Sequence, residues 1–261
     1  MNLTEQMTQL AKQAKAASRE LAKLSTREKN ECLLAMADAL EKNSAAIKEA
    51  NALDMEAGAT HLSPAMLDRL KLDDKRISAM AKGLREVAAL PDPVGRILNE
   101  RTRPNGLELQ KISVPIGVVV IIYESRPNVT ADAASLCFKS GNATILRGGK
   151  EAMNSNQIIA KVMIEAGKKA LKNFPEHAIQ VVPVADREAI PVLLSLTQYI
   201  DLCMPRGGEG LIRAVADCSK VPVIKHYKGV CHVYVDREAD LKMAERIVMN
   251  AKVQRPAVCN A

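Results

Sequence analysis

Tryptophan is absent from the 261 residues, and there are only two Phe and four Tyr. A core here must be aliphatic, built from Ala, Leu, Ile, Val and Met, and stacking platforms for single-stranded nucleic acid are scarce. Long apolar runs are missing too. No segment approaches the roughly 18 residues needed to span a bilayer. The opening MNLTEQMTQLAKQAKAASRE is polar and helical in pattern, without the apolar h-region of a secretory leader. A cytosolic (cytoplasmic) protein is expected, with no membrane partner. The cysteines at 32, 137, 203, 218, 231 and 259 form no C-x-x-C pair, which argues against a disulfide scaffold or a thiolate zinc site. His226, Cys231 and His232 match no usual ligand spacing, and strand alternation explains them better, so no metal is expected. Sequence repeats and low-complexity segments are also lacking.

What is present is a globular mix, 48% hydrophobic and 26% charged. The net charge of +7 is unevenly placed, because from Lys139 onward 18 Lys and Arg stand against 12 Asp and Glu. The cations are dispersed and form no stripe, which favours a phosphate-bearing small ligand over nucleic acid.

Residues 2–90 read as helices. Asn2 with Glu5 and Ser25 with Glu28 are capping boxes, followed by apolar residues at helical spacing: Met7, Leu10, Ala14 and Leu21, then Leu33, Leu34, Ala37 and Leu40. Ser63-Pro64 opens a short helix, and Asp73 or Asp74 a further one. After LPDPVG the period changes. Alternating residues flank an Asn105-Gly106 turn, a hairpin signal. Strands and helices then alternate: GVVVIIYE, a helix over 127–140, NATILRG, a helix over 155–171, AIQVVPV, a helix near 187–196, IDLCMP, a helix over 209–218, VPVIKH, CHVYVD, and a helix over 240–252. Short apolar strands separated by helices predict a parallel sheet covered on both faces, an α/β fold.

Such a sheet binds its ligand beyond the carboxyl ends of its strands. ESRPN, RGGK and PRGG each follow a strand and lie at that edge. MPRGGEGLI resembles a phosphate loop entering a helix, although it lacks the full dinucleotide fingerprint, and a tight turn explains its glycines equally. LRGGK puts two cations around two glycines, which suits a phosphate monoester or plain exposed loop charge. Asn128 can donate into the cleft or cap its helix. Cys259 is one thiol among six; Cys32, Cys137 and Cys203 read as core fillers, while Arg255 lies close enough in sequence to favour a thiolate at 259.

VPIGVVVIIYESRPNVT, GNATILRGGKEA, DLCMPRGGEGLI and NAKVQRPAVCNA stand in the order of the aldehyde dehydrogenase superfamily, which the chain resembles over its whole length. The similarity is greatest to the branch that reduces L-glutamate 5-phosphate in proline biosynthesis. That resemblance implies an aldehyde-dehydrogenase-like α/β fold: N-terminal helices and a Rossmann-like parallel sheet, a hairpin arm, and the start of a second, catalytic domain. Residues 1–96 and 114–235 would be the NADP-binding domain, 97–113 the oligomerisation arm, and 236–261 the opening of the catalytic domain.

The resemblance also implies roles. Cys259 would be the nucleophile, with Asn128 and the Cys259 N–H as oxyanion donors. Ser125, Pro127, Gly207 and Gly208 would contact the cofactor, and Arg147 and Lys150 its adenine-side ribose. Lys150 stands where NAD-preferring relatives carry a glutamate, so a 2′-phosphate and hence NADPH over NADH is expected. His226 lies nearest the position where hydrolytic relatives keep a glutamate base. Arg126 and Arg255 are the candidates for the anionic substrate groups. Further implications are homo-oligomerisation of the full-length enzyme and channelling from glutamate 5-kinase. Members of that branch continue well beyond the position of Ala261, so the chain is expected to be the front part of a longer enzyme, either active or a non-catalytic NADP-binding fragment.

Overall fold

Helices of the N-terminal block are started by their own sequence. In the computed structural model, which describes residues 1–254, the Asn2 side chain accepts from the Glu5 N–H while Glu5 accepts from the Asn2 N–H, opening α1 (Leu3–Leu21). Ser25 and Glu28 repeat this exchange at α2 (Thr26–Lys42). Each box satisfies donors that a bare helix start leaves open. α3 (Ser44–Gly58), α4 (Pro64–Leu70), which starts with Pro64 behind a Ser63 cap, and α5 (Asp74–Ala89), capped by Asp73, complete the block. The predicted stripes are buried except at Leu34, which is 44% exposed because it follows Leu33 around the helix and turns off the buried face.

β1 (Ile97–Thr102) and β2 (Glu108–Ile112) pair antiparallel as the predicted arm, nearly all of it exposed. Its turn is larger than a two-residue Asn-Gly reversal. Gly106 N–H donates to the Arg103 carbonyl and Arg103 N–H to the Leu107 carbonyl, leaving Pro104, Asn105 and Gly106 as the loop. Pro104 presets the first turn residue and Gly106 takes the left-handed φ of +84°.

The central sheet is parallel, with order β5-β4-β3-β6: β3 (Val118–Tyr123), β4 (Ala143–Arg147), β5 (Ile179–Val181) and β6 (Leu202–Arg206). Side chains alternate across it. Val119, Ile121 and Tyr123 pack with α2, α5, α6 (Asn128–Lys139) and α7 (Met153–Ala170). Val118, Val120 and Ile122 pack with α1, α8 (Ala189–Leu194) and α9 (Glu209–Cys218). Both faces are covered, which explains strands that read as continuous apolar runs. No helix among the described residues is long and apolar enough to cross a membrane.

Two expected strands do not form. VPVIKH contributes a single bridge, Val223 to Cys203, held by Cys203 N–H to the Pro222 carbonyl and Ile224 N–H to the Cys203 carbonyl. Pro222 has no N–H with which to extend the ladder. CHVYVD has no strand pairing among the described residues, and Tyr234 within it is 85% exposed. α10 (Leu241–Val253) follows, capped by Asp240, with no buried residue.

One buried carboxylate ties the helical block to the start of α7. Ala152, at the start of α7, offers no side-chain cap. Asp54 of α3 supplies one from a distance: its carboxylate, 3% exposed, accepts from Asn154 N–H, Asn154 Nδ2, Ser155 N–H and Ser155 Oγ at 2.6–3.2 Å. Asn51 donates to the Leu70 carbonyl and Ser155 Oγ and accepts from Leu72 N–H. Asp54→Ala strands these donors, so we expect a loss of about 3 kcal/mol in urea unfolding, above the roughly 0.5–2 kcal/mol typical of an exposed cap.

Candidate functional site

The chain crosses from β3 to β4 and β5 on one side, then returns to place β6 on the other side of β3. The order therefore reverses between β3 and β6, the position where open α/β sheets bind ligands. A cleft of about 730 Å³ lies there, lined by Ser125 and Arg126 after β3, Lys150 after β4, Arg187 after β5 and Gly210 after β6. Arg69, from α4, joins it across the mouth.

Gly207 and Gly208 follow β6 and enter α9, and neither has a left-handed φ. Close approach, not the turn itself, favours glycine at 207, where a Cβ would lie 2.8 Å from Glu124 Oε1, whereas one at 208 would make ordinary contact at 3.4 Å. That carboxylate accepts the Gly208 N–H at 2.7 Å, so the anion seat at the start of α9 holds a side chain of this protein. On the opposite wall, Ser125 Oγ donates to Glu151 at 2.7 Å beneath Gly149, where a Cβ would collide with the Ser125 hydroxyl. Burial opposes the charge of Glu151, but the Ser125 bond and the nearby Lys150 and His61 hold its carboxyl below the ordinary range.

Arg147 and Lys150 part company. Arg147 is 7% exposed and donates to the carbonyls of Gly148, Ala185 and Asp186, with Nε buried and unpartnered. Its guanidinium braces the loop after β5 against the end of β4. Lys150 begins a 3₁₀ turn (Lys150–Ala152) at the cleft wall, and its side chain has no hydrogen-bond or ion-pair partner among the described residues.

Asn128 is the first residue of α6, with Pro127 in the cap position, and it makes no capping bond. The capping alternative is therefore not what the structure shows. Its Nδ2 donates to Asp132 Oδ2 at 3.0 Å, and burial raises the Asp132 carboxyl despite that bond. Asn128, Asp132 and Arg126 line a second cavity of about 340 Å³. Cys259 and Arg255 lie outside the described residues. Among those residues no group of three or more His, Cys, Asp or Glu could hold a metal.

Sequence reasoning places the cleft edge but misses Glu124, Glu151, Arg69 and Arg187. Glu124 stands inside the quoted ESRPN, and Glu151 beside Lys150, so both carry a positional signal. Arg69 carries none: it belongs to α4, well before β3 in the chain, and only the tertiary fold brings it to the cleft.

The sequence profile described as the aldehyde dehydrogenase family matches residues 2–261. Gamma-glutamyl phosphate reductases of Syntrophomonas wolfei and Geobacter metallireducens are 56% and 55% identical to the chain, covering 100% of it and 62% of their own length. The crystal structure of gamma-glutamyl phosphate reductase from Thermotoga maritima superimposes with a TM-score of 0.90 at 41% identity, over 98% of this chain and 62% of that one. The chain thus spans about 62% of the length of the relatives it matches.

Thiol chemistry offers a direct check on the site. Cys32, Cys137 and Cys203 are buried, and burial pushes their thiols up to about 11, 11 and 12. We expect iodoacetamide at about pH 8 to leave these three unmodified in the folded chain, as read by peptide mass mapping, and to label Cys259 fastest if that residue is the nucleophile.

Proposed function

The chain belongs to the aldehyde dehydrogenase family, and we propose that it carries the cofactor site and nucleophile of an NADPH-dependent reductase converting L-glutamate 5-phosphate to L-glutamate 5-semialdehyde in proline biosynthesis. The cationic cleft at the sheet's switch point supports this reading most strongly, joined with the similarity to reductases over the whole chain. NADPH, when bound, supplies the hydride. The residues present suit it: Lys150 and Arg187 offer cations for a 2′-phosphate, Arg147 braces the loop that carries Arg187, and the start of α9 offers N–H groups to a pyrophosphate.

In this reading Cys259 attacks the acyl carbon, the carbon–oxygen bond to phosphate breaks, and inorganic phosphate leaves a thioester on the sulfur. Asn128 has a second amide hydrogen besides the one given to Asp132, and that hydrogen is available to the developing oxyanion. Arg126 and Arg255 serve the anionic groups of the substrate. Ser125 and Pro127 fix the loop between cofactor and substrate. The exposed hairpin β1–β2 is suited to an oligomerisation arm, with residues 1–96 and 114–235 as the cofactor domain and 236–261 opening the catalytic one. A cytoplasmic location and delivery of the acyl phosphate by glutamate 5-kinase complete the proposal.

NADPH fluorescence titration tests it. We expect NADPH to bind about tenfold more tightly than NADH, and Lys150→Glu to remove that preference, a change of about 1.4 kcal/mol; equal affinities in the unsubstituted chain would sink the 2′-phosphate assignment. NADPH oxidation in the presence of the acyl phosphate separates turnover from binding alone. Because the Glu124 carboxylate holds the N–H that a pyrophosphate needs, Glu124→Gln should tighten NADPH binding by about two- to fivefold, the range of one charge at a helix start. Weaker binding in that variant would mean that Glu124 assists the cofactor.

A further inference from the structure

The second cavity adjoins the cofactor cleft: Arg69 and Arg126 line both. Asn128 and Asp132 of α6 form one side of this cavity, and the end of α4 with the start of α5 forms the other. Its cations differ in what they do. Arg76 is spent, donating to the Lys71 carbonyl at 2.7 Å and to Asp68 Oδ1 at 2.7 Å. The side chains of Arg69 and Lys71 have no hydrogen-bond or ion-pair partner among the described residues. Fixing the Lys71 carbonyl on Arg76 holds the backbone that carries both free cations. Leu72 and Met80 supply an apolar floor.

An arginine fork and an ammonium lining one cavity suit a carboxylate or a phosphate. A carboxylate on the facing wall makes the lining two-signed, which suits a zwitterion better than a simple anion. Asp132 is that group. Its one donor is Asn128, and burial leaves its charge poorly compensated, so a cation entering the cavity would gain there.

Resting on the reductase reading above, we propose that this cavity receives the amino-acid end of the substrate, with Arg69 and Lys71 binding the α-carboxylate and Asp132 the α-ammonium. The side-chain carbonyl then extends toward Asn128, and Arg69 and Arg126 border both the substrate and the cofactor. Arg69, Lys71 and Asp132 are binding residues for substrate in this assignment, and none of them takes part in bond making.

Calorimetric titration of the 261-residue chain with L-glutamate, glutarate and inorganic phosphate tests the proposal, with NADPH fluorescence as a parallel measurement. L-glutamate should bind about tenfold more tightly than glutarate, which lacks the ammonium, and than phosphate. Lys71→Met should weaken L-glutamate about tenfold while NADPH affinity holds, Lys71→Arg should retain it, and Asp132→Asn should bring L-glutamate down to the level of glutarate. Phosphate or glutarate binding as tightly as L-glutamate overturns the amino-acid assignment. So does NADPH binding without any L-glutamate binding, which leaves the cofactor reading standing. Failure to bind NADPH at all removes the reductase reading on which the proposal rests.

Discussion

Asp54 sits in the helical block, yet its carboxylate organises the turn at the mouth of the cleft. Four donors from Asn154 and Ser155 converge on it, and the 3₁₀ turn bearing Lys150 and Glu151 runs directly into the helix it caps. A helix start left without an acceptor would fray, and Lys150 would lose its fixed place on the wall. Asn51 extends the same network to the backbone of Leu70 and Leu72. Those residues flank Lys71, so one polar knot positions cations at both cavities.

Glycine does a different job at the two strand ends. A side chain at Gly149 would collide with the Ser125 hydroxyl, and one at Gly207 would press on the end of the Glu124 side chain, so glycine lets the loops after β3, β4 and β6 close on each other with these contacts kept. The approach brings backbone N–H groups to the cleft, and it also lets Glu124 reach Gly208. The anion seat is thereby stabilised before any ligand arrives, since a helix start favours negative charge. In the proposed reading a dinucleotide would have to displace or rearrange that tethered carboxylate.

The fold is legible where local chemistry decides it. Capping boxes at Asn2 and Ser25, Pro64 behind Ser63, and apolar runs at β3, β4 and β6 each act within a few residues, and each forms as its sequence predicts. The loop edge of the site follows from strand order. What cannot be read is tertiary: the remote cap from Asp54, the guanidinium of Arg147 turned to backbone carbonyls, and Arg69 joining Arg126 in the lining of both cavities. CHVYVD fails for the same reason, because alternation sets which way side chains point but a strand also needs a partner edge.

The placement of charge gives the two cavities different tasks. In the larger cleft Lys150 stands near Glu151, whose carboxyl is held below the ordinary range by Ser125 and its cationic neighbours, and the lining joins the cations of Lys150 and Arg187 to the carboxylates of Glu124 and Glu151. In the second cavity burial raises the Asp132 carboxyl, and a cation arriving beside it would favour the ionised form. Arg69 and Arg126 border both spaces and add positive potential to each. In the proposed reading two anionic ligands meet where the cavities adjoin, and their mutual repulsion is strong. Cations that border both spaces offset that repulsion most, which is a physical reason for Arg69 and Arg126 to line both cavities.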